Sequence, residues 1–252
     1  MSSDPRSVFI TGASSGLGHG LALWFARRGA RVFAAARRVE RLQALAGDSG
    51  RGTGSIEAVA VDVGDTAALR NALFRADDSV EGGIDLVIAN AGVGGNTNPR
   101  KQETWPLMER MLQVNVTGAA ITLSTLAPRM AERKLGHLVG VSSIAAWVVA
   151  PRSGTYTATK AFLEVYCEGL RLDLRGTGVA VTSIHPGFVK SEMTAQNKAP
   201  MPMLLETDNA VDRMGRAILR RPARFAFPWA MAMAARTAQL LPEGIRARVI
   251  RR

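Results

Sequence analysis

The stretch SVFITGASSGLG, residues 7–18, joins an apolar run to a glycine-rich turn. The next segment, residues 16–28, carries apolar side chains at helical spacing and ends before Gly29. A strand, a glycine-rich turn and a helix in this order bring backbone N–H groups and a positive helix N-terminus to a phosphate. The spacing is G-x-x-x-G-x-G and not the more usual G-x-G-x-x-G, but the same physics predicts a dinucleotide-binding turn.

Six further short apolar runs alternate with helical segments along the chain. They are apolar nearly throughout, which is typical of parallel strands buried on both faces. The alternation predicts one α/β domain over residues 1–252, a Rossmann fold with a doubly wound, seven-stranded parallel sheet. The predicted strands are 7–12, 31–36, 56–63, 84–92, 136–143, 179–187 and 224–228. The predicted helices are 16–28, 65–76, 104–133, 154–176 and 207–221, with Pro128 kinking or breaking the longest.

Composition limits the class of protein. The chain has 252 residues, 47% of them hydrophobic, so it can bury a large core, and its formal net charge is +11. A basic chain can bind nucleic acid, but these arginines are scattered without an aromatic-plus-basic motif, which favours a basic surface and no nucleic-acid partner. The single cysteine, Cys167, excludes an intramolecular disulfide, and no signal peptide or apolar span is recognised, so we expect a cytoplasmic protein.

A doubly wound sheet binds its ligand beyond the carboxyl ends of its strands. After the first strand we expect phosphate contacts from Gly12, Ser14, Ser15, Gly16, Leu17 and Gly18. The second strand ends at Ala36 and is followed by Arg37 and Arg38, where NAD-binding proteins often carry an acid. Two guanidinium groups and no carboxylate predict a 2′-phosphate and hence NADP(H), with Arg37 the better candidate and NAD(H) still possible. Alternatively, both arginines only begin a solvated helix.

The third and fourth strands end in small or polar residues. Asp62 and Val63 follow the third strand, and Asn90, Ala91 and Gly92 follow the fourth. Such residues leave room for an adenine and its ribose, although each could also be an ordinary turn. The three histidines, His19, His137 and His185, lack metal-ligand spacing, so we expect no metal site.

Tyr156 lies four residues before Lys160, and the two side chains share one face of a predicted helix. A free phenol has a pKa near 10, and a neighbouring ammonium favours its ionised form, so Tyr156 could exchange a proton near neutral pH. Ser143, at the end of the fifth strand, could hold the same substrate oxygen. Taken alone, this pair is better explained as an exposed Tyr–Lys pair on a surface helix.

Together, TGASSGLG, NAG, Asn115, Ser143, YTATK and HPG resemble the short-chain dehydrogenase/reductase family in order and spacing over residues 6–194. The resemblance implies that Tyr156 donates or accepts the proton while Lys160 lowers its pKa and holds the nicotinamide ribose. It implies that Ser143 orients the substrate oxygen and that Asn115 holds a water linking Lys160 to solvent. It also places four residues beside the nicotinamide, namely Pro186, Gly187, Val189 and Ser191, and a substrate lid over residues 188–206.

The resemblance predicts an NADP(H)-dependent oxidoreductase that interconverts a carbonyl and a secondary alcohol; the alternative is a non-catalytic regulatory or scaffold protein on the same fold. The pocket should be formed near residues 93–100, 144–152 and 188–204, where apolar side chains such as Trp147 and Met193 predict a hydrophobic substrate. The C-terminal extension, residues 229–252, could be an extra helix or oligomer contact, a peripheral contact with an anionic membrane, or a nucleic-acid contact. We expect a homodimer or homotetramer.

Overall fold

A computed structural model of the protein describes residues 4–48, 53–195, 197, 200–242 and 244. All seven predicted strands are present within a few residues of their predicted bounds. They are β1 Ser7–Thr11, β2 Arg31–Ala36, β3 Ser55–Ala60, β4 Leu86–Ala89, β5 Gly136–Val141, β6 Val179–Pro186 and β7 Arg224–Phe227. Every pair of neighbouring strands is parallel, in the order β3-β2-β1-β4-β5-β6-β7. The doubly wound parallel sheet is confirmed.

The strand order reverses at β1, which lies between β2 and β4. Val8 of β1 is in register with Val32 of β2 on one side and with Leu86 of β4 on the other. The connections on the two sides of β1 run in opposite directions, so a crevice opens at the carboxyl ends of β1 and β4. The glycine-rich turn after β1 lies in this crevice.

Helices cover both faces of the sheet. They are α1 Gly16–Ala26, α2 Val39–Asp48, α3 Thr66–Asp78, α4 Trp105–Met111, α5 Ala119–Ser124, α6 Ala127–Glu132, α7 Gly154–Asp173, α8 Glu192–Ala195, α9 Thr207–Arg220 and α10 Trp229–Gln239. Leu21 and Phe25 of α1 are buried in the core of one face, and Leu73 and Leu163 belong to the core of the other. Because both faces are covered, the central strands β1, β4 and β5 are buried along their whole length, whereas the edge strand β3 is largely exposed.

The single long helix predicted over residues 104–133 is divided in the structure into three α-helices, α4, α5 and α6, and one π-helical segment between α4 and α5. The chain leaves the helix after Ser124 and begins α6 with Pro128 in its first turn, so the predicted break at this proline is confirmed. Between α4 and α5, Leu112–Gly118 is a π-helix, which the sequence pattern did not predict. Short π-helical segments are often found at functional sites.

The last described helix, α10, packs on the protein through Ala232 and Ala235, which lie in a small apolar cluster with Trp147. This packing agrees with the interpretation of the C-terminal extension as an extra helix. Residues 243 and 245–252 of that extension lie outside the described residues, as do residues 196, 198 and 199 of the predicted lid. Within the described part of the chain, no helix is both long and apolar enough to span a bilayer.

Candidate active site

A groove of about 280 Å³ lies at the carboxyl ends of the central strands. It brings together all of the predicted cofactor-binding residues except Gly18, and three of the four predicted catalytic residues. Those lining it are Gly12, Ser14, Ser15, Gly16, Leu17, Arg37, Arg38, Asp62, Val63, Asn90, Ala91, Gly92, Ser143, Tyr156, Lys160, Pro186, Gly187, Val189 and Ser191. Residues distant in sequence therefore meet where the strand order predicts a ligand site.

The turn after β1 requires glycine for two different reasons. Gly12 has a φ of +71°, and a Cβ atom on it would lie 2.7 Å from the Cα of Ala91, so it supplies both an unusual conformation and a close approach. A Cβ on Gly18 would lie 2.4 Å from the carbonyl oxygen of Gly12, so Gly18 lets α1 pack against the turn. Gly18 does not line the groove, so its cofactor contact stays a prediction beside this packing role.

Thr11, the last residue of β1, joins this turn to the loop after β4. Its hydroxyl oxygen accepts hydrogen bonds from the N–H groups of Asn90 and Ala91 at 3.1 and 3.2 Å. The Asn90 amide donates in return to the Thr11 carbonyl oxygen at 3.0 Å. Sequence reasoning missed Thr11, although a polar residue at the end of an apolar strand was a usable signal.

Asp62, after β3, is held at the end of the groove nearest α2. Both of its carboxylate oxygens accept from Arg110 at 2.8 Å, and one accepts from the Gly64 N–H at 2.8 Å. Burial raises the pKa of Asp62, but these hydrogen bonds outweigh it, so its pKa lies below the usual 3.8. Arg110, on α4, was not predicted because nothing in the sequence pairs it with Asp62.

The two arginines after β2 point to different partners. Arg38 donates to the Ser14 hydroxyl at 3.0 and 3.1 Å and to the Ser15 hydroxyl at 2.8 Å. Arg37 lies 3.8 Å from Asp62, and its side chain is 61% exposed. Arg38 is therefore the guanidinium that contacts the glycine-rich turn, and the preference for Arg37 at a 2′-phosphate stays a prediction.

Ser143, Tyr156 and Lys160, the predicted proton-transfer residues, meet at the other end of the groove. Removal of water raises the pKa of Tyr156 above its usual 10.0, and the nearby Ser143 hydroxyl group, which favours the ionised phenol, offsets this only in part. Burial also lowers the pKa of Lys160, to about 8, while its Nζ donates to the Val141 carbonyl oxygen at 3.0 Å. The Lys160 Nζ lies 5.8 Å from the centre of the Tyr156 ring. The expected low pKa of Tyr156 is not found in this structure, because removal of water raises it, and the role of Lys160 in proton transfer stays a prediction.

Asn115 is buried within the π-helical segment, behind the groove. Its Oδ1 accepts from the Val93 N–H at 2.8 Å, and its Nδ2 donates to the Val93 carbonyl at 2.9 Å and to the Thr159 hydroxyl at 3.1 Å. The side chain therefore ties the loop after β4 to α7, the helix that carries Tyr156 and Lys160. The implied role of Asn115 in holding a water stays a prediction.

Trp147 does not line the groove, so its predicted substrate contact is wrong. It is buried against α10, its indole N–H donates to Glu164, and the Arg236 guanidinium lies 4.3 Å from its ring centre. The ring also stacks on His185 at 4.6 Å. Met193 does line the groove, and a Cβ on Gly94 would lie 2.9 Å from its sulfur and 3.8 Å from the Tyr156 ring.

The fold and the site together define the protein's family. A model of the short chain dehydrogenase family matches residues 6–202. The chain belongs to this family of oxidoreductases. Among the described residues, no three His, Cys, Asp or Glu side chains are grouped so that they could hold a metal ion.

Similar proteins support this assignment. An uncharacterized oxidoreductase of Myxococcus xanthus is 53% identical over 237 residues, 94% of this chain and 93% of that protein. A serine 3-dehydrogenase of Rhizobium radiobacter is 38% identical over 188 residues, 75% of this chain and 74% of its own. A short-chain dehydrogenase from Sphingobium yanoikuyae, solved in complex with NADPH, has a TM-score of 0.81 at 28% identity and covers 94% of this chain and 97% of its own.

Proposed function

We propose that the protein is an NADP(H)-dependent oxidoreductase that interconverts a carbonyl and a secondary alcohol on a hydrophobic substrate. The observation that carries this proposal is that Tyr156, Ser143 and Lys160 line the same groove, with Lys160 one helical turn further along α7. A phenol and a second hydroxyl that meet in a groove can both contact one substrate oxygen.

When bound, the nicotinamide supplies the hydride for reduction or accepts it in oxidation. In reduction, Tyr156 gives its proton to the carbonyl oxygen, and in oxidation it takes the proton from the alcohol. Its raised pKa keeps the phenol protonated at neutral pH, which favours the donor role. Ser143 holds the substrate oxygen beside the phenol, and the Lys160 ammonium holds the ribose hydroxyls and supports the charge on the phenolate.

The groove fits NADP(H) in three respects. The turn after β1 lets a phosphate approach the backbone, because Gly12 and Gly16 have no side chain and both have positive φ. Asp62 and Val63 line the groove where we expect the adenine, and Arg38 and Arg37 supply positive charge at the end of β2 for a 2′-phosphate. The NADPH in the Sphingobium protein supports the same cofactor here.

The substrate class is proposed from the side chains next to Tyr156. Met193 faces the groove close to this tyrosine, and the exposed Met203 and Leu204 follow in residues 188–206, the proposed lid. Apolar side chains beside the reacting hydroxyls favour a hydrophobic ketone or alcohol. The name of the Rhizobium relative suggests a hydroxy amino acid instead, so L-serine belongs in the substrate panel.

The test compares the only two tyrosines in the chain. NADPH consumption is followed against ketones, aldehydes and acyl-thioesters, and NADP⁺ reduction against alcohols and L-serine. Tyr156→Phe should lower turnover about 10³-fold, the loss expected for a missing proton donor, while the thermal shift caused by NADPH persists. The matched control is Tyr166→Phe, because Tyr166 packs on Phe162 away from the groove, and this variant should stay active.

Two outcomes would contradict the proposal. Full turnover by Tyr156→Phe would remove the proton-transfer role of this residue. NADPH binding without turnover of any compound would favour the alternative, a nucleotide-binding regulatory or scaffold protein.

We also propose that the protein acts as a cytoplasmic homodimer or homotetramer. The support is a set of exposed apolar side chains on the outer faces of the π-helical segment and α7, namely Leu112, Val165 and Leu172. Exposed apolar side chains of this kind are often covered by another subunit. Light scattering after size-exclusion chromatography measures the mass, and a mass of 26.9 kDa would contradict the proposal.

A further inference from the structure

Glu192, the first residue of α8, contacts the arginines near the start of α2. One of its carboxylate oxygens accepts from Arg38 at 2.9 Å, and the other accepts from Arg41. The contact joins two segments that are 154 residues apart in the chain. Hydrogen bonds from Arg41 and Arg38 hold the pKa of Glu192 at about 2, so the carboxylate is charged at any working pH.

The donors of Arg38 are divided between this carboxylate and the glycine-rich turn. One terminal nitrogen is bonded to Glu192, and the other terminal nitrogen and Nε are bonded to Ser14 and Ser15. A 2′-phosphate at the end of β2 would bind to the same guanidinium groups, because their planar N–H donors form hydrogen bonds equally well with phosphate and with carboxylate oxygens. A phosphate and Glu192 are both negative, so they oppose each other's binding at one cation.

We propose that Glu192 sets cofactor specificity by occupying the cations that bind the 2′-phosphate. This inference rests on the proposed NADP(H) function. A ligand with a 2′-phosphate has to displace the carboxylate, whereas a ligand without one leaves it in place. Glu192 therefore weakens NADP(H) binding, has little effect on NAD(H), and keeps α8 attached to α2 until a 2′-phosphate arrives.

The same contact connects the cofactor to the substrate pocket. Met193, the next residue of α8, lies against Gly94 near the Tyr156 ring. Ser191, the residue before, faces the glycine-rich turn, where a Cβ on Gly16 would lie 3.6 Å from its Cβ. Release of Glu192 from the arginines therefore frees the short helix that also forms the pocket wall, so the 2′-phosphate loosens the lid before substrate binds.

The experiment uses adenosine 2′,5′-bisphosphate and 5′-AMP as probes, which differ only in the 2′-phosphate. Titration calorimetry measures both on the full-length protein and on Glu192→Gln. This variant should bind the bisphosphate about three- to tenfold more tightly, the range expected when two exposed ion pairs no longer compete, while its affinity for 5′-AMP stays the same. The matched control is Glu57→Gln, because Glu57 is an exposed carboxylate that pairs with Arg31 at 2.9 Å and does not contact Arg38 or Arg41; both affinities should remain unchanged.

The proposal would be overturned if Glu192→Gln bound the bisphosphate with unchanged or lower affinity. It would also be overturned if the affinity for 5′-AMP rose as much as the affinity for the bisphosphate, because that result indicates a general opening of the lid. If the wild-type protein binds the bisphosphate no more tightly than 5′-AMP, the NADP(H) assignment is contradicted. If Glu192→Gln then binds the bisphosphate more tightly than 5′-AMP, the blocking role of Glu192 is supported. If no variant binds either probe, the proposed function fails and this inference fails with it.

A second experiment tests the release of α8. Hydrogen exchange of residues 192–195 should be faster with the bisphosphate bound than with 5′-AMP bound, and equal exchange rates would refute the release.

Discussion

The two ends of the groove control charge in opposite ways. At the proposed 2′-phosphate end, the side chains of Arg37, Arg38 and Glu192 are 61%, 42% and 55% exposed, and each ionic group lies close to an opposite charge. At the proposed proton-transfer end, Lys160 is 5% exposed as a residue, and burial moves its pKa down and that of Tyr156 up. Ion pairs in water are weak and sensitive to salt, whereas burial sets protonation independently of salt. Changes at the two ends should therefore be separable by experiment.

The largest effect is expected at the buried end. Lys160→Met replaces a buried ammonium by an apolar side chain of similar length, so turnover should fall about 10³-fold because the proton donor loses its supporting charge. The thermal midpoint should not fall, since burying the charged amine opposes folding. Initial rates and a melting curve measure both effects; a stable, fully active variant would show that the ammonium is not needed.

A smaller effect is expected at the exposed end. Arg38→Ala should weaken NADPH binding about 10- to 100-fold, the range for hydrogen bonds to charged groups, and leave NADH binding nearly unchanged. Arg37→Ala serves as the comparison and should weaken NADPH binding less, because Arg37 lies by Asp62 and not by the serines of the turn. Fluorescence titration measures the four dissociation constants, and the reverse order would restore Arg37 as the main contact.

The pH dependence should reflect the buried end. The ammonium form of Lys160, whose pKa is about 8, predominates below that pH, while Tyr156 stays protonated because its pKa is raised above 10.0. The rate of carbonyl reduction at saturating NADPH should therefore fall as the pH rises through about 8, approaching tenfold per pH unit. A profile that is flat from pH 6 to pH 10 would disprove control by Lys160.

The smallest effect should come from salt. Raising sodium chloride from about 0.05 M to about 0.5 M should weaken NADPH binding about threefold, because the exposed charges at the 2′-phosphate end are screened. The turnover number at saturating cofactor should not change. A salt-sensitive turnover number with unaltered NADPH affinity would reverse the assignment of the two ends.

The strands could be predicted from sequence because burial on both faces requires nearly continuous apolar runs. The groove could be predicted because the strand order places the ends of β1 and β4 together, so residues such as Gly12 and Asn90 meet. Local spacing also identified Tyr156 and Lys160, since four residues on a helix define one face.

Other contacts depend on partners that sequence spacing does not reveal. Trp147 is apolar and lies in a loop, which is a pattern typical of a pocket residue. In the structure its indole N–H donates to Glu164 and its ring contacts Arg236. The pairing of Glu192 with Arg38 joins distant segments in the same way. The pKa of Tyr156 was predicted in the wrong direction because a sequence shows a neighbouring charge but not the loss of water around it.

The π-helical segment makes the spacing along this part of the chain intolerant of change. Arg110 lies just before it and holds Asp62, and Asn115 lies within it and holds the loop at Val93. One residue more or fewer between them would rotate one side chain by about 100° relative to the other, so the two contacts could not form together. The number of residues between Arg110 and Asn115 therefore determines whether the contact with Asp62 and the contact with the loop at Val93 form at the same time. In this way the length of the segment fixes the position of one end of the groove relative to the other.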